Sequence, residues 1–271
     1  MEDFKVYQEI AKKVRRTILE MIYRTKSPHI GSSFSIVELL TALYFKILKV
    51  DAKNQADPDR DRFLLSKGHG VPALYPILAE KGFIEEKTLE GFAKDGGTLE
   101  QHPNRDIQKG IEMTSGSLGH GLSVGAGMAL AGKYDNKNYR VFVLLGDGEM
   151  EEGSSWEAIL FAGHHKLDNL IAIVDNNKTS MLDRSKNIID LEPLEEKFSD
   201  FKWETERIDG HDVVKVCESL KNLKEDSSGF PKVLIADTVK GKGISQLEND
   251  IMSHSRVLNK EEIIEITEKL Q

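Results

Sequence analysis

An aspartate and an asparagine, each placed just after a short apolar stretch, are the residues with the clearest potential for chemistry. Asp147 and Asn177 supply one carboxylate and one amide oxygen, and we expect the main-chain carbonyl of Thr179 to lie beside them. Such hard oxygen donors suit Mg2+, with Ca2+ or Mn2+ as substitutes, when water and the phosphate oxygens of a ligand complete the coordination. The pattern therefore predicts a metal site that holds a magnesium diphosphate.

The glycines on either side of the aspartate point to the same ligand. Gly146 and Gly148 carry no side chain, so main-chain amides there can approach a phosphate closely. Each of the two short motifs taken alone is most often an ordinary turn. The informative feature is that both motifs occur within one structural unit.

Hydrophobic patterning predicts that unit. The apolar runs 141–145 and 170–174 are short and continuous, which is typical of strands buried on both faces. A helix that we expect Ser154 or Ser155 to cap separates the two runs. This order of strand, helix and strand predicts a right-handed crossover in a parallel sheet, with both following loops at its carboxyl edge. The aspartate and the asparagine should therefore meet.

The segment 146–179 resembles the thiamine diphosphate fingerprint, and it is similar to the transketolase family in particular. Further motifs resemble those of the family and follow in its order: SPHIG at 27–31, LSKGHG at 65–70, EQHP at 100–103, GSLGHGLSVGAGMALA at 116–131, DGHD at 209–212, TVKGKGIS at 238–245 and SHS at 253–255. The resemblance implies an α/β fold with a doubly wound, mainly parallel sheet flanked by helices. It also implies transfer of a two-carbon ketol unit from a ketose to an aldose, with thiamine diphosphate as the cofactor.

The resemblance also implies roles for individual residues. His69 is expected to contact the diphosphate or the bound sugar intermediate, and three more histidines are expected to face the sugar oxygens: His29, His102 and His254. Imidazoles suit this role because they can donate and accept as protons move. Glu152 completes the set of residues expected to act in catalysis. The implied cofactor contacts are His69, Gly116, Ser117, Leu118, Gly146, Asp147, Gly148, Glu149, Glu152, Asn177, Lys240 and His254.

Chain length bears on the domain organisation. With 271 residues, the chain is expected to form a single diphosphate-binding domain over 1–271. The resemblance implies a pyrimidine-binding domain and a C-terminal domain as well, which we expect on a partner chain, the C-terminal transketolase subunit. The helix 116–132 is rich in small residues and is expected to pack tightly against another helix. Together with Glu152 and Glu157, this helix suggests an α2β2 heterotetramer.

Several positions depart from the family pattern. SPHIG replaces SGHPG, His120 replaces the usual glutamine, and His254 is followed by Ser255 where the family has glycine. These departures leave the substrate open between a sugar and a sugar phosphate. The alternatives are the α chain of a 2-oxo acid dehydrogenase, a relative of deoxyxylulose phosphate synthase, and a cofactor-binding paralogue without catalytic activity.

Composition argues against other classes of partner. A net charge of −8 and a pI near 5.6 disfavour binding to nucleic acid. No apolar run is long enough to cross a membrane, and the N-terminal region is typical of an amphipathic helix, so we expect a cytoplasmic protein. The basic pairs of that helix, Lys12-Lys13 and Arg15-Arg16, are expected on a solvated face. Cys217, the only cysteine, is expected in the core side of a helix.

Overall fold

The computed structural model describes residues 4–248, 250–254 and 256–269, and its centre is one parallel sheet. The strands are β1 (Arg62–Leu65), β2 (Val141–Gly146), β3 (Leu170–Asn176), β4 (Glu204–Asp209) and β5 (Lys232–Asp237). They are ordered β1-β2-β3-β5-β4, and each neighbouring pair is parallel. Both predicted apolar runs are therefore strands, as the sequence indicated.

Helices cover the sheet and connect its strands. They are α1 (Lys5–Thr25), α2 (Ile30–Phe34), α3 (Val37–Ala42), α4 (Val71–Glu80), α5 (Gly121–Tyr134), α6 (Gly153–His164), α7 (Ser185–Ile188), α8 (Leu194–Asp200), α9 (Val213–Glu225) and α10 (Lys260–Lys269). A π-helical turn continues α3 over Leu43–Ile47, and 3-10 turns include Gly68–Gly70, Gly148–Glu151 and Ile251–His254. Within the described residues, no helix is both long and apolar enough to cross a membrane.

The sheet is buried on both faces, which explains its continuous apolar strands. On β2, Phe142 and Leu144 belong to the core shared with α1, α3, α4 and α9, whereas Val143 and Leu145 belong to the core shared with α5, α6 and α8. All four side chains are inaccessible to solvent. Burial of each such side chain contributes about 1.5–3 kcal/mol relative to exposure. The predicted doubly wound α/β fold is confirmed.

Parallel pairing brings the loops that follow the strands to one edge of the sheet. β2 and β3 pair in register from Val141 with Leu170 to Gly146 with Asp175. Consequently the loops after β1, β2, β3 and β5 all leave the carboxyl edge, where ligands bind in open α/β sheets. The LSKGHG motif, the glycine-flanked Asp147, Asn177 and the TVKGKGIS motif lie in these loops.

The start of α6 differs from the prediction. Neither Ser154 nor Ser155 caps the helix, which begins after Glu152 without a side-chain cap. The hydroxyl of Ser154 instead donates to the carbonyl of Gly119 (2.9 Å), and that of Ser155 donates to the carbonyl of Glu149 (3.1 Å). The capping prediction was wrong because both hydroxyls donate to main-chain carbonyls outside the helix and not to its first N–H groups.

The glycines of α5 pack on the sheet. A Cβ at Gly125 would lie 2.5 Å from the side chain of Val143 on β2, and one at Gly121 would collide with Ser66 just after β1. Around Gly127, by contrast, there is open space. Tight packing of this helix was predicted correctly: α5 packs against α6, while its buried glycines approach β2 and the residue after β1.

Two expectations about α1 and α9 have different outcomes. Cys217 is buried in α9, as predicted. Arg15, predicted on a solvated face of α1, is only 7% exposed and donates to both carboxylate oxygens of Glu38 on α3, at 2.6 and 2.8 Å. That prediction was wrong because a buried acid from another helix compensates the charge.

Candidate active site

Four histidines from separate segments come together at the carboxyl edge of the sheet. The ring centroid of His29 lies 5.7 Å from that of His69, 5.6 Å from that of His102 and 5.0 Å from that of His254. The rings of His69 and His254 are 5.1 Å apart. We refer to these four residues as the histidine cluster. The structure thus brings together the four histidines that the resemblance assigned to the sugar, its bound intermediate or the diphosphate.

Main-chain hydrogen bonds hold His29 in an uncommon conformation. Its φ is 78°, in the left-handed region that few non-glycine residues adopt. The N–H of His29 donates to the carbonyl of His254 (3.0 Å), and its own carbonyl accepts from the hydroxyl of Ser33 (2.8 Å). The first bond joins the loop before α2 to the 3-10 turn that contains His254, and the second ties His29 to α2 itself.

Burial keeps the histidine cluster neutral. Desolvation lowers the pKa of His29 and that of His254 to about 4, with smaller contributions from neighbouring histidines and lysines. Desolvation also lowers the pKa of His69 and that of His102. A neutral imidazole offers one donor and one acceptor. Among the described residues, no protein group forms a hydrogen bond with a ring nitrogen of the cluster, so these nitrogens can serve a ligand.

The predicted metal ligands lie beside one another around Asp175. The N–H of Asp147 donates to the carbonyl of Asp175 (3.2 Å), and the side-chain amide of Asn177 donates to its carboxylate (3.0 Å). The amide oxygen of Asn177 accepts from the N–H of Thr179 (3.2 Å). Asp147 itself accepts from the hydroxyl of Ser185 (2.7 Å). The expected meeting of Asp147 and Asn177 is therefore seen at the ends of β2 and β3.

Electrostatics make Asp147 receptive to a cation. Its side chain is buried, and desolvation raises the pKa of its carboxyl, with Asp175 adding to the rise and the Ser185 hydroxyl opposing it. A divalent cation would compensate such a buried carboxylate. Within the described residues, no three His, Cys, Asp or Glu side chains form a metal-binding group. A metal here would therefore need the amide and carbonyl oxygens and the phosphates of a ligand.

The comparison with known families bears directly on this arrangement. The family described as transketolase, thiamine diphosphate binding domain, matches residues 6–271. The chain belongs to the transketolase family. The resemblance predicted from the sequence motifs is therefore confirmed over nearly the whole chain.

Relatives of two lengths are found within the family. The chain is 41% identical to the 6-deoxy-6-sulfo-D-fructose transketolase subunit SqwG of a Clostridium species, over 94% of this chain and 92% of that protein. It is 37% identical to an apulose-4-phosphate transketolase subunit of Phocaeicola vulgatus, over 96% and 94%. The solved transketolase of Campylobacter jejuni is 29% identical with a TM-score of 0.90, but this chain covers only 43% of its length against 99% of its own.

A buried ion pair of this transketolase domain was not predicted from its sequence. Lys67, which is 1% exposed, pairs with the fully buried Asp175 and also donates to the carbonyl of Ser32 (3.1 Å). The hydroxyls of Ser35 (2.8 Å) and Thr238 donate to Asp175 as well. Burial alone would raise the pKa of Asp175, but the charge of Lys67 and these hydrogen bonds hold it below its usual value.

Lys240 adds a second buried cation. Its ammonium donates to the carbonyls of Thr179 (3.2 Å) and Ser180 (3.1 Å). Desolvation, together with the nearby charge of Lys67, lowers the pKa of Lys240 to about 8. The ammonium therefore lies against the carbonyl that was predicted to bind metal. Two lysines near a buried aspartate and the histidine cluster make this edge suited to an anionic ligand.

The loop before α5 is connected to the Asp147 loop by Glu149. One carboxylate oxygen of Glu149 accepts from the hydroxyl of Ser66 and the N–H of Gly119 (2.9 Å), and the other accepts from the N–H of Gly146 (3.3 Å). Burial raises the pKa of this carboxyl. Glu149, predicted to contact the cofactor, thus has both oxygens bonded to protein groups and fixes the two loops relative to each other.

The remaining predicted residues lie at the margins of this arrangement. Gly116 lies next to the ring of His102, because a Cβ there would lie 3.2 Å from its Cδ2. Ser117 is exposed and Leu118 is half-buried. Glu152 is exposed at the start of α6 and packs beside Gly119. Position 255 of the final motif lies outside the described residues.

A cavity of about 550 Å³ opens next to the predicted metal ligands. Asp147, Asn177 and Thr179 line it on one side, and the segment 184–192 lines it on the other. The cavity volume falls within the range of small-molecule sites. The carboxyl edge therefore combines a cavity, a set of oxygen donors and buried positive charge.

Proposed function

We propose that this chain is the N-terminal, cofactor-binding subunit of a heteromeric transketolase. The observation that carries the proposal is coverage: the chain spans 92–97% of relatives named as transketolase subunits, but 41% of the transketolase of Mus musculus. The catalytic unit would then be completed by a C-terminal subunit with the pyrimidine-binding domain. The family match also favours transketolase over a 2-oxo acid dehydrogenase or a deoxyxylulose phosphate synthase relative.

The oxygen donors at the ends of β2 and β3 fit a magnesium diphosphate. We assign Mg2+ to the carboxylate of Asp147, the amide oxygen of Asn177 and the carbonyl of Thr179, with diphosphate oxygens completing its coordination. Lys240 would then exchange its bond to the Thr179 carbonyl for the negative charge of the diphosphate. The main chain at Gly148 can approach the same phosphates because it has no side chain to exclude them.

The histidine cluster would bind the sugar. Bound thiamine diphosphate would supply the carbanion that attacks the ketose carbonyl. The neutral imidazoles of His29, His102 and His254 can donate to or accept from sugar hydroxyls, and His69 can contact the diphosphate or the bound sugar. Because each ring has one donor and one acceptor, proton movement between sugar oxygens requires no change in net charge.

The substrate class follows from the relatives and from the charge of the site. The two subunit relatives are designated by sugars that carry a sulfonate or a phosphate. In this chain, Lys67 and Lys240 are buried and already bonded, and the histidine cluster is neutral. We therefore propose a ketose donor whose anionic group, where present, is bound by the partner subunit.

Exposed apolar side chains support assembly into an α2β2 heterotetramer. Val124 on α5 and Leu160 and Phe161 on α6 are 38%, 55% and 38% exposed, beside the exposed Glu157. Near the site, Met181, Leu182 and Ile189 are also exposed. We assign the first group to contact between two copies of this chain and the second to contact with the partner subunit. A cytoplasmic location is consistent with a sequence that contains one cysteine, which is buried in α9.

The proposal is tested by reconstitution. The chain is purified alone and with a C-terminal transketolase subunit, and ketol transfer is followed in a coupled aldose assay while mass is measured by light scattering. We expect no transfer by the lone chain and transfer by a complex with two copies of each subunit. Rapid transfer by the lone chain would refute the two-subunit proposal, whereas cofactor binding without transfer in the complex would favour a non-catalytic paralogue.

A further inference from the structure

We infer that His211, the histidine of the DGHD motif, is a positioning residue that holds the segment 238–240 against the metal and cofactor site. His211 lies just after β4 and is not part of the histidine cluster. The inference rests on the proposed function for the identity of the ligand. The positioning contact itself is made entirely between protein groups.

The two ring nitrogens of His211 have different partners. Nε2 accepts a hydrogen bond from the N–H of Val239 (2.8 Å), and Nδ1 lies 3.2 Å from a carboxylate oxygen of Glu38. Because a main-chain N–H can only donate, Nε2 must carry no proton. The proton therefore resides on Nδ1 and is donated to Glu38. The imidazole therefore connects Glu38 on α3 to the loop after β5 by two hydrogen bonds.

A buried ion pair anchors that link. Arg15 donates to both oxygens of Glu38, at 2.6 and 2.8 Å, and to the carbonyl of Phe34 (3.3 Å). Burial would raise the pKa of Glu38, but the charge of Arg15 and the contact with His211 lower it to about 2. Glu38 is therefore ionised at neutral pH and accepts the Nδ1 proton. Such a carboxylate selects one histidine tautomer.

Val239 lies between two residues that reach the site. The hydroxyl of Thr238 donates to Asp175, which in turn accepts from the amide of Asn177. Lys240 donates to the carbonyl of Thr179. Fixing the N–H of Val239 thus constrains the segment that contacts Asn177 indirectly and Thr179 directly. Outer contacts of this kind orient the groups that bind a metal.

The neighbouring glycine shows how closely the DGHD motif approaches this segment. A Cβ at Gly210 would lie 2.6 Å from the side chain of Thr238, and the N–H of Gly210 donates to the carbonyl of Asp237 (2.8 Å). The motif therefore packs directly on the loop after β5. Only a residue without a side chain permits the distance at which His211 reaches Val239.

Two substitutions separate positioning from simple filling of space. In His211→Gln, the amide oxygen can reach the place of Nε2 and accept from Val239, whereas the donor to Glu38 is lost. In His211→Asn, the shorter amide can replace Nδ1 toward Glu38, but no group reaches Val239. The inference requires Asn to be the harmful change and Gln the tolerated one.

The first test is amide hydrogen exchange in the full chain without cofactor. We expect exchange at the Val239 amide to rise about tenfold in His211→Asn, as loss of one buried hydrogen bond allows, and to remain near wild type in His211→Gln. Exchange across β2 reports global folding, and His165→Asn, at the exposed position just after α6, is the matched control. Equal exchange in the Asn and Gln variants would overturn the inference.

The second test measures the tautomer in the wild-type chain itself and uses a variant only to assign the signals. In the wild-type chain labelled with 15N-histidine, the His211 signals, identified by their loss in either variant, should show a protonated Nδ1 and an unprotonated Nε2 at neutral pH. The opposite tautomer would overturn the inference.

The third test asks whether the segment matters to the site. In the assembled enzyme, Mg2+-dependent thiamine diphosphate affinity should fall about tenfold in His211→Asn, the lower end for residues behind metal ligands, and recover in His211→Gln. Wild-type affinity in the Asn variant would refute the role of His211. Absence of cofactor binding by the wild-type complex would instead refute the proposed function, so the two failures are distinguishable.

Discussion

The histidine cluster and the charged residues next to it share one edge of the sheet but are constructed in opposite ways. Lys67, Asp147, Asp175 and Lys240, which we call the charged group, are buried and bonded to protein atoms. The histidine rings contact one another, and their nitrogens bond to no protein group among the described residues. The charged group thus suits an ionic ligand, whereas the histidine cluster suits an uncharged polar ligand.

The largest effect should follow from breaking the charged group at its centre. Lys67→Met would leave the fully buried Asp175 without its cation, which should lower the free energy of unfolding by about 3–5 kcal/mol. Urea denaturation of the full chain measures this. Lys87→Met removes an ion pair with Glu85 in which both side chains are exposed and screened by solvent, and it should lower the free energy of unfolding far less. Similar losses in both variants would show that burial of the pair adds nothing.

The second prediction removes the proposed metal ligand without removing the ion pair. Asp147→Ala should lower Mg2+-dependent cofactor affinity in the assembled enzyme by about 100-fold or more. A carboxylate that binds the metal directly contributes more to affinity than a residue that only orients the metal ligands. Calorimetric titration provides the measurement. Asp95→Ala, at an exposed site, is the control. Unchanged affinity in Asp147→Ala would remove this residue from the metal site, and loss of folding would be seen in urea denaturation.

The two regions could be predicted from the sequence on different grounds. Asp147 and Asn177 could be placed together because strand periodicity and the crossover rule bring consecutive loops to one edge. The histidines come from segments far apart in the chain, and only the family resemblance grouped them. Lys67 was missed although its signal was present: a lysine at the end of a buried strand requires a buried acid as partner.

Other contacts could not be predicted because they depend on tertiary packing. Arg15 lies on the apolar face of α1, four residues from both Ala11 and Leu19, but the local pattern does not show that Glu38 on a different helix compensates its charge. The serines at the start of α6 resemble capping residues, but their hydroxyls donate hydrogen bonds to main-chain carbonyls outside the helix. Local propensity predicts helices and strands, whereas partners across the fold decide what each polar group does.

The third prediction concerns the neutral region. His29→Ala and His254→Ala should each raise the KM for the ketose about tenfold, as expected for loss of one or two hydrogen bonds to an uncharged partner. Cofactor affinity should change little, because the charged group remains intact. Steady-state kinetics combined with a cofactor titration separate the two quantities. Loss of cofactor affinity with unchanged sugar kinetics would reverse the assignment of the two regions.

The smallest expected effect is the dependence of stability on pH that the neutral region imposes. The pKa of His29 and that of His254 are about 4 in the folded chain, against 6.5 for the ordinary side chain. Between pH 6.5 and 4, the unfolded chain therefore binds more protons than the folded chain at these positions. The free energy of unfolding rises with pH wherever the unfolded state binds more protons. The contribution of these two histidines to it is therefore fully present above pH 6.5 and is lost as the pH falls toward 4. Both side chains are partly solvated, which limits the size of this loss.

Urea midpoints at pH 7 and pH 5 measure that loss. The double variant His29→Ala, His254→Ala should show a smaller decrease between the two pH values than the wild-type chain, because its folded and unfolded states differ less in proton binding. The matched control is the substitution of His164 and His165 by alanine, since both are exposed at the end of α6 and should leave the wild-type decrease unchanged. An identical decrease in the wild type and the His29, His254 variant would show that the histidine cluster is not held neutral by burial. The histidine cluster would then not be a neutral region distinct from the charged group at this edge of the sheet.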